Sequence, residues 1–506
     1  MTALGIGAPV DAIRGVRIAT SDRRLLAVDS PVDLLLADGR IADIAPSGAL
    51  PLRGEVLEGH GAWIVPGLWD HHVHTVQWAL AAQRQDLSGS AGANEAAALM
   101  ADAPVLGDGR RVGSGFRDVR WTDRPSLALL DERTGEIPTY LINADVHSVW
   151  LNSAAFRREG FAAPVDGTLR EEDAFEISRR LNAADPAVAD VAVAEAAHRA
   201  AARGIVGLVD FDMAWTAESW ARRVAAGFDA HRVEFAVYPH DLDRAIAEGL
   251  VTGDPLTGAE DLVRVGPLKI ISDGSLGTRT AATGHGYADD PHNHGVLTVP
   301  AAQLQELLLR ATGAGLGIAL HAIGDVAVSA ALDAFTATGA HGSIEHAQLV
   351  RHADLARFAR LGVAASVQPQ HALDDRDAAD ALWAAQTAIT YPLASLHRAG
   401  VALRFGSDAP VAPLDPWQAI AAAVFRTDDD RAPWHPEERL DVETALAASA
   451  HGGTASPGAG GGAGLLPGAR ADLVLLGDDP ATPDARTLRN MPVEATILGG
   501  RITHAS

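Results

Sequence analysis

Short apolar stretches alternate with longer segments of helical periodicity over most of the chain. Segments such as residues 301–315 and 352–362 repeat apolar residues every three or four positions and end in glycine, which is typical of capped helices. The predicted strands cover residues 62–74, 204–212, 232–240, 265–274, 315–325, 342–348, 362–371 and 400–410. This alternation predicts an α/β fold, a TIM-type (β/α)8 barrel whose active site lies at the carboxyl ends of the strands.

The two ends of the chain show a different pattern, in which short alternating stretches are separated by turn residues. Residues 32–48 precede the first barrel strand, and residues 493–505 follow the last. Asp-Gly and Pro-Ser-Gly at such turns are typical of hairpins in a small sheet. We therefore predict that residues 1–65 and 455–506 form one discontinuous β-sandwich domain, with the barrel at residues 66–454.

The connection between the first two predicted barrel strands is much longer than the others. The first and second predicted strands are separated by well over a hundred residues, about 76–203. Long insertions at the catalytic end of a barrel commonly carry binding residues. We expect this insertion to cover the active site and to shape a pocket for a small-molecule substrate.

Composition excludes several classes of protein. The formal charge of −24, from 65 acidic and 41 basic residues, argues against a nucleic-acid partner, which would need basic patches. No apolar run is long enough to span a membrane, and the start shows no secretory signal, so we expect a cytoplasmic protein without a membrane partner. A homodimer is the expected assembly. The chain has no cysteine, so any metal must be held by His, Asp, Glu or a modified Lys.

The segment IVPGLWDHHVHT, residues 64–75, places histidines at the end of an apolar run. If this run is a strand, His72 and His74 share one face and can bind one metal ion. Such a pair also arises by chance in a chain with 20 histidines. A second pair, His292 and His294, is flanked by turn formers and predicts a solvated loop.

Other polar residues stand at the ends of other predicted strands. Each alone could be a strand-end residue with a structural role, and an aspartate after Gly-Ser could simply shape a turn. Together they would converge on one mouth, because the strands are parallel. The six candidate metal ligands are His72, His74, Lys269, His321, His346 and Asp408.

Lys269 is the most informative of the six because it lies within an apolar strand. A bare ammonium between Leu268 and Ile270 would be expensive to bury. Its side chain could reach water or pair with a carboxylate such as Asp273. The alternative is carboxylation by carbon dioxide, which yields an anionic carbamate that can bridge two cations.

Six motifs carry a resemblance to a known family. PGLWDHHVH, LKIISDGSLGTRTA, HAIGD, IEHAQ, SVQPQH and GSDAPV, together with DVHSVWLNSAA in the insertion, are similar to the amidohydrolase superfamily. The similarity is closest to its YtcJ-like branch, which includes N-substituted formamide deformylases. It runs over nearly the whole chain. One departure is His71, where the family often has a small residue, and strand alternation predicts that it faces away from the metals.

The resemblance implies a binuclear metal centre. His72, His74 and Asp408 would bind one ion, His321 and His346 would bind a second, and the carboxylated lysine would bridge them. A metal-bridging hydroxide would attack the substrate, with Asp408 as general base and acid toward the leaving amine. We expect two Zn²⁺ ions, although iron, manganese or cobalt would also fit these ligands. The implied reaction is hydrolysis of an amide-type C–N bond in an N-acyl or N-formyl amine, or in a cyclic amide.

Four further residues are candidate substrate contacts. His147 and Trp150 lie in the insertion, where a role in a separate small core is an equal alternative for the tryptophan. Arg279 and His371 follow the fourth and seventh strands, on loops that usually face the substrate. An arginine at such a position could bind a carboxylate or simply pair with an acidic side chain.

Other functions compete with amide hydrolysis. A mononuclear deaminase of the same superfamily would normally have His-x-x-Glu after the fifth strand, whereas this chain has HAIG followed by Asp325. A lactonase or other esterase would use the same metals. A noncatalytic barrel scaffold would generally have lost ligands, and all six positions are filled here. A serine hydrolase is disfavoured because the chain has no G-x-S-x-G motif.

Overall fold

The computed structural model describes residues 4–19, 30–116, 118, 121–143, 148–170, 172–182, 185–260, 262–450, 464–481 and 484–506. The chain divides into two compact units. The first contains Met1–Thr75 and Ala197–Ser506, and the second is Val76–Ala196. No helix in the described ranges is long and apolar enough to cross a membrane.

The first unit contains the predicted TIM-type barrel, which confirms the fold class. Its eight parallel strands follow one another in chain order around the sheet. They are Leu68–Val73, Ile205–Asp210, Arg232–Val237, Val263–Ile271, Ile318–Ala322, Gly342–His346, Ala364–Val367 and Leu403–Phe405. The first and last strands are joined beyond their ends, where the N–H of Asp408 donates to the carbonyl of His72 at 2.7 Å and the N–H of His74 donates to that of Ala409 at 2.9 Å. The barrel is therefore nearly closed, with its carboxyl-end residues brought together at one mouth.

Helices follow the barrel strands, as βα units require. The segments predicted as helices from their period form Ala301–Gly313 and His352–Leu361. The second of these ends at Gly362, whose φ of 66° is the left-handed conformation of a glycine cap. The other α-helices of this unit are Ala217–Ala225, Leu242–Ala247, Asp325–Thr338, His371–Asp374, Arg376–Leu382, Leu393–Arg398, Pro416–Phe425, Val442–Ala450 and Ala485–Arg489.

Strands from both termini pair in one additional sheet system. Its strands are Ala12–Ile18, Val32–Ala37, Arg40–Pro46, Val56–Glu58, Trp63–Pro66, Leu473–Leu476, Val493–Leu498 and Arg501–Ala505. Trp63–Pro66 pairs antiparallel with Leu473–Leu476, so this pairing joins the two ends of the chain. Apolar side chains of both ends, including Ile13, Leu34, Leu473 and Ile497, share one core.

The predicted first barrel strand, residues 62–74, is in fact two strands. Trp63–Pro66 belongs to the terminal sheet, and Leu68–Val73 belongs to the barrel. Gly67 lies between them, and a Cβ there would lie 2.4 Å from a methyl carbon of Val206. The chain changes sheets at a point where the side chain of Val206 leaves no room for a Cβ, which a continuous apolar run does not show.

The second unit has its own sheet and its own apolar cores. Its five strands are Gln85–Asp86, Arg111–Phe116, Thr139–Asn143, Ser148–Leu151 and Thr168–Arg170. The α-helices beginning in or leading out of it are Thr75–Ala81, Ala93–Asp102, Leu127–Thr134, Ser153–Glu159, Glu172–Asn182 and Pro186–Ala201. Two apolar clusters pack on this sheet, one of them around Met100, Leu141 and Trp150. The long insertion is thus an α/β unit rather than an irregular loop.

Candidate metal centre

The first barrel strand presents His72 and His74 beside Asp408. Nε2 of His72 lies 3.5 Å from Oδ1 of Asp408, and Nε2 of His74 lies 3.3 Å from the same oxygen. The last strand approaches so closely that a Cβ on Gly406 would lie 2.6 Å from the backbone nitrogen of His72. Asp408 itself has a φ of 58°, a left-handed conformation that turns its side chain out of the strand alternation. Two imidazoles and one carboxylate therefore face the same point.

Lys269 reaches this point from the fourth strand. Its residue is 2 % exposed, and Nζ lies 3.3 Å from Nε2 of His72 and 4.2 Å from the ring centre of Phe211. Among the described residues, no carboxylate forms an ion pair with this lysine, so the alternatives of a solvent-exposed amine or a pair with Asp273 do not describe it. Burial lowers the pKa of Lys269 to about 8.

A buried carboxylate orients the first histidine. Nδ1 of His72 lies 2.8 Å from Oε2 of Glu345, whose residue is fully buried, and the hydroxyl of Ser343 donates to the other oxygen at 2.5 Å. The carboxylate accepts a hydrogen bond from the Nδ1–H of His72. The proton is thereby kept on Nδ1, and Nε2 carries the lone pair that can bind an ion at the mouth.

The same arrangement recurs at the fifth and sixth strands. Nδ1 of His346 lies 2.8 Å from Oε1 of Gln368. Nε2 of His321 lies 3.3 Å from the carbonyl oxygen of Gly274 and 3.4 Å from Oδ1 of Asp273. Each ring therefore has one nitrogen within hydrogen-bond range of an acceptor. This is the arrangement by which proteins fix the tautomer of a metal-binding histidine.

The charge states also suit metal binding. Burial, helped by the positive charge of Lys269, lowers the pKa of His72 to about 4 and keeps the ring neutral. Burial alone would raise the pKa of Asp408, but the surrounding histidines hold it well below its usual range. Burial also opposes ionisation of Glu345, yet the bond from His72 and the nearby lysine hold its pKa at about 2. Neutral imidazoles and ionised carboxylates are the forms that bind divalent ions.

Two groups of three ligand atoms have a spacing that could hold an ion. His72, His74 and Asp408 form one group, and His346, His371 and Asp408 form the other, with the ligand atoms of each group within 4.8 Å of one another. His371, predicted as a substrate contact, thus lies among the candidate ligands, and its buried Nε2 has no partner among the described residues. His321 is outside both groups, although its ring centre is 4.5 Å from that of His346. The residues present fit a metal centre.

The other predicted contacts lie elsewhere or are not described. Arg279 forms an ion pair with Asp289 at 2.8 Å, in which both side chains are nearly half exposed. Trp150 is fully buried in an apolar cluster of the second unit, and its Nε1 donates to the carbonyl oxygen of Ser126 at 3.2 Å. His147 lies outside the described residues.

Strand alternation explains which residues the sequence did not reveal. Glu345 and Gln368 hold histidines that are candidate metal ligands, but neither was itself a candidate. Alternation would put the side chains of Glu345 and His346 on opposite faces, yet His346 has a φ of 72° and both reach the site. His71 behaves as alternation predicts, since its Nδ1 lies 2.8 Å from the carbonyl oxygen of Phe405 rather than at the mouth. Gln368 could have been found from the sequence, because it directly follows the seventh strand, at the same end of the barrel as the candidate ligands.

Comparison with known proteins gives three relatives that cover most of this chain. Protein LONG AFTER FAR-RED 3 of Arabidopsis thaliana is 28% identical over 96% of this chain and 90% of its own length. The putative amidohydrolase YtcJ of Bacillus subtilis is 26% identical over 89% of this chain and 90% of its own length. N-substituted formamide deformylase of Arthrobacter pascens is 26% identical over 92% of this chain and 94% of its own length. The resemblance drawn from the motifs is confirmed.

A solved structure supports the same fold. The structure of an uncharacterized metal-dependent hydrolase from Pyrococcus horikoshii superposes with a TM-score of 0.81 at 24% identity, covering 94% of this chain and 99% of the other. The model of the amidohydrolase family matches residues 55–504, which include every candidate ligand. The chain belongs to the amidohydrolase family.

Proposed function

We propose that this chain is a metal-dependent hydrolase that cleaves an amide-type C–N bond in an N-acyl or N-formyl amine, or in a cyclic amide. The observation that carries the proposal is the pairing of His72, His346 and His321 each with an acceptor behind the ring, beside the ionised Asp408. A barrel without a metal would have no need to hold one nitrogen of each ring in this way. The amide specificity is supported by the name of the formamide deformylase relative.

The candidate ligands would divide between two ions. His72, His74 and Asp408 would hold one, and His321 and His346 would hold the second, with carboxylated Lys269 between them. Zinc suits this set of nitrogen and oxygen ligands, as iron, manganese and cobalt do. When bound, the ions would lower the pKa of a water molecule and polarise the substrate carbonyl.

The chain's own residues would supply orientation and proton transfer. Asp408 lies at hydrogen-bond range of His74 and can receive a proton from the attacking water and pass it to the leaving amine. Lys269 is buried without a carboxylate partner in the described part of the chain, which supports its conversion to a carbamate by carbon dioxide. The carbamate would replace a costly buried cation by an anion placed between two cations.

The substrate would enter at the mouth of the barrel. His371, whose Nε2 is buried and unpartnered within the described residues, would contact either the substrate or the second ion. A cytoplasmic location and a homodimer remain predictions, which cell fractionation and light scattering would test.

Metal content and amide turnover together test the function. The protein would be purified without chelator or added metal and assayed by elemental analysis, with amine release measured on a panel of N-acyl and N-formyl amines. We expect about two metal equivalents and amine release, both reduced in Lys269→Ala and His72→Ala. His294→Ala is the matched control, because it changes the second His-x-His pair, on a surface loop.

Other outcomes would redirect the assignment. About one equivalent with ammonia release from an amino-substituted ring would favour the mononuclear deaminase. Turnover of lactones but not amides would favour an esterase. No bound metal, and no activity after metal is added, would contradict the proposal and favour a noncatalytic scaffold.

A further inference from the structure

Arg426 is a fully buried arginine that has no ionic partner in the described part of the chain. It follows the helix Pro416–Phe425 and is 0 % exposed. Its Nε donates to the carbonyl oxygen of Trp434 at 3.0 Å, but neither Nη1 nor Nη2 has a hydrogen-bond partner among the described residues. A buried guanidinium with two unpaired nitrogens is costly unless something else satisfies it.

This arginine lines a small cavity behind the candidate metal centre. His346, Gln348, Gln368 and Tyr391 line the same cavity, which leaves about 10 Å³ for the centre of a water-sized sphere. That is about the room that one water-sized group needs, and it is too small for a phosphate or a carboxylate.

The amide of Gln368 adds a donor. Its Oε1 lies 2.8 Å from Nδ1 of His346, so the amide nitrogen is turned away from that ring. This Nε2 is buried and has no partner in the described residues. Gln348 contributes one acceptor, an unpartnered Oε1. The residues that line the cavity therefore carry three donor nitrogens without a partner, two from Arg426 and one from Gln368, but only one such acceptor, from Gln348.

The nearby acidic groups are already engaged. Glu438 is the carboxylate with the largest effect on Arg426, and it accepts bonds from the backbone and hydroxyl of Ser395 at 2.8 and 2.5 Å. The hydroxyl of Tyr391 donates to Asp375 at 2.6 Å. Burial lowers the pKa of Arg426 to about 10, which leaves it protonated at neutral pH. The terminal nitrogens of Arg426 are therefore left without a carboxylate acceptor among the described residues.

We propose that this cavity binds a halide ion, chloride under physiological conditions, held by the terminal nitrogens of Arg426 and by Nε2 of Gln368. A monatomic anion would accept hydrogen bonds from the unpaired donors and would also neutralise the buried positive charge. A water molecule would accept the hydrogen bonds but would leave the charge uncompensated. The ion would lie one side chain behind His346. The proposal does not depend on the hydrolase activity, since the donors belong to the fold around the site.

Thermal unfolding at constant ionic strength tests halide binding. Sodium gluconate, whose anion is too large for the cavity, would be replaced stepwise by sodium chloride or bromide. Wild type should show a saturable rise in unfolding midpoint of about 1–3 °C. Arg426→Met should lose this response, and Arg360→Met, which changes an exposed arginine, should keep it. The same midpoint in gluconate and chloride would overturn the proposal.

A second measurement on the wild type covers the case in which Arg426→Met does not fold. Crystals of the full chain soaked in bromide should show an anomalous scattering peak within hydrogen-bond distance of the Arg426 terminal nitrogens and of Gln368 Nε2. Density for a water molecule there, without an anomalous peak, would refute halide binding.

Discussion

Replacing Glu345 by glutamine should weaken metal binding without unfolding the protein. The carboxylate is fully buried and lies 2.8 Å from Nδ1 of His72, while Ser343 occupies its other oxygen. Glutamine has nearly the same shape, and its amide oxygen can still accept the Nδ1 proton. The substitution therefore keeps the orientation of His72 and removes mainly the negative charge behind it.

The size of the effect follows from that charge. An ionised acceptor makes its imidazole a stronger ligand, and loss of such a partner typically weakens metal affinity about 10–100-fold. This corresponds to about 1.4–2.8 kcal/mol of binding free energy. The pKa of Glu345, held at about 2, means that the carboxylate is charged throughout the range in which the metal can be measured.

Chelator competition would measure the affinity, and urea unfolding would measure the stability. Asp354→Asn is a matched control, because Asp354 is also a buried carboxylate that accepts a serine hydroxyl, at 2.5 Å, but it lies on the outer helix His352–Leu361. It should leave metal affinity unchanged. Wild-type affinity in Glu345→Gln, or an equal loss in the control, would refute the argument that this carboxylate supports the ligand.

Three further predictions follow from other parts of the fold. Asp33→Asn should lower the free energy of unfolding by about 1–3 kcal/mol, because its buried carboxylate accepts two backbone N–H groups and a serine hydroxyl. These bonds overcome the effect of burial and lower the pKa of Asp33 in the folded protein. The stabilisation by the Asp33 carboxylate is therefore fully present above the ordinary pKa of 3.8. Urea titrations should show that the difference in stability between wild type and Asp33→Asn shrinks as the pH falls below this value. Gly67→Ala should cost about 1–3 kcal/mol because its Cβ would collide with Val206, whereas Gly5→Ala, which meets nothing within 4 Å, should be nearly neutral in the same assay. His321→Ala should lose the second metal in elemental analysis, and retention of both ions would exclude it as a ligand.

The sequence predicts the barrel well because its signals are local. Each strand is a short apolar run between turn residues, and each helix has its own period and cap, as His352–Leu361 shows. That the two ends of the chain share a sheet could be inferred because both carry hairpin patterns. The strand Trp63–Pro66, which joins them by pairing with Leu473–Leu476, was instead predicted as part of the barrel. The break at Gly67 could not, since it results from the approach of Val206, which is distant in sequence. Nor did any local period reveal the sheet of the second unit.

The candidate ligands were likewise visible because parallel strands bring their carboxyl ends together. What the sequence could not show is how the backbone redirects them. Alternation predicts that His346 faces the outside, and a φ of 72° turns it toward His72, at 4.8 Å between ring centres. Asp408, with a φ of 58°, is turned in the same way. Such conformations are unfavourable for residues with a side chain, so they persist where surrounding contacts fix them.

The supporting residues escaped detection for a different reason. Glu345 keeps the strand alternation and faces the barrel interior, where it holds His72, and Gln368 fills the space behind His346. A pattern of alternating positions assigns such residues to packing. The same holds for Arg426, which follows a helix. No sequence period indicates that its buried terminal nitrogens are left without a hydrogen-bond partner among the described residues. Around this mouth, strand ends mark the candidate ligands in the sequence, whereas the groups that hold those ligands are set by contacts between strands that no local pattern shows.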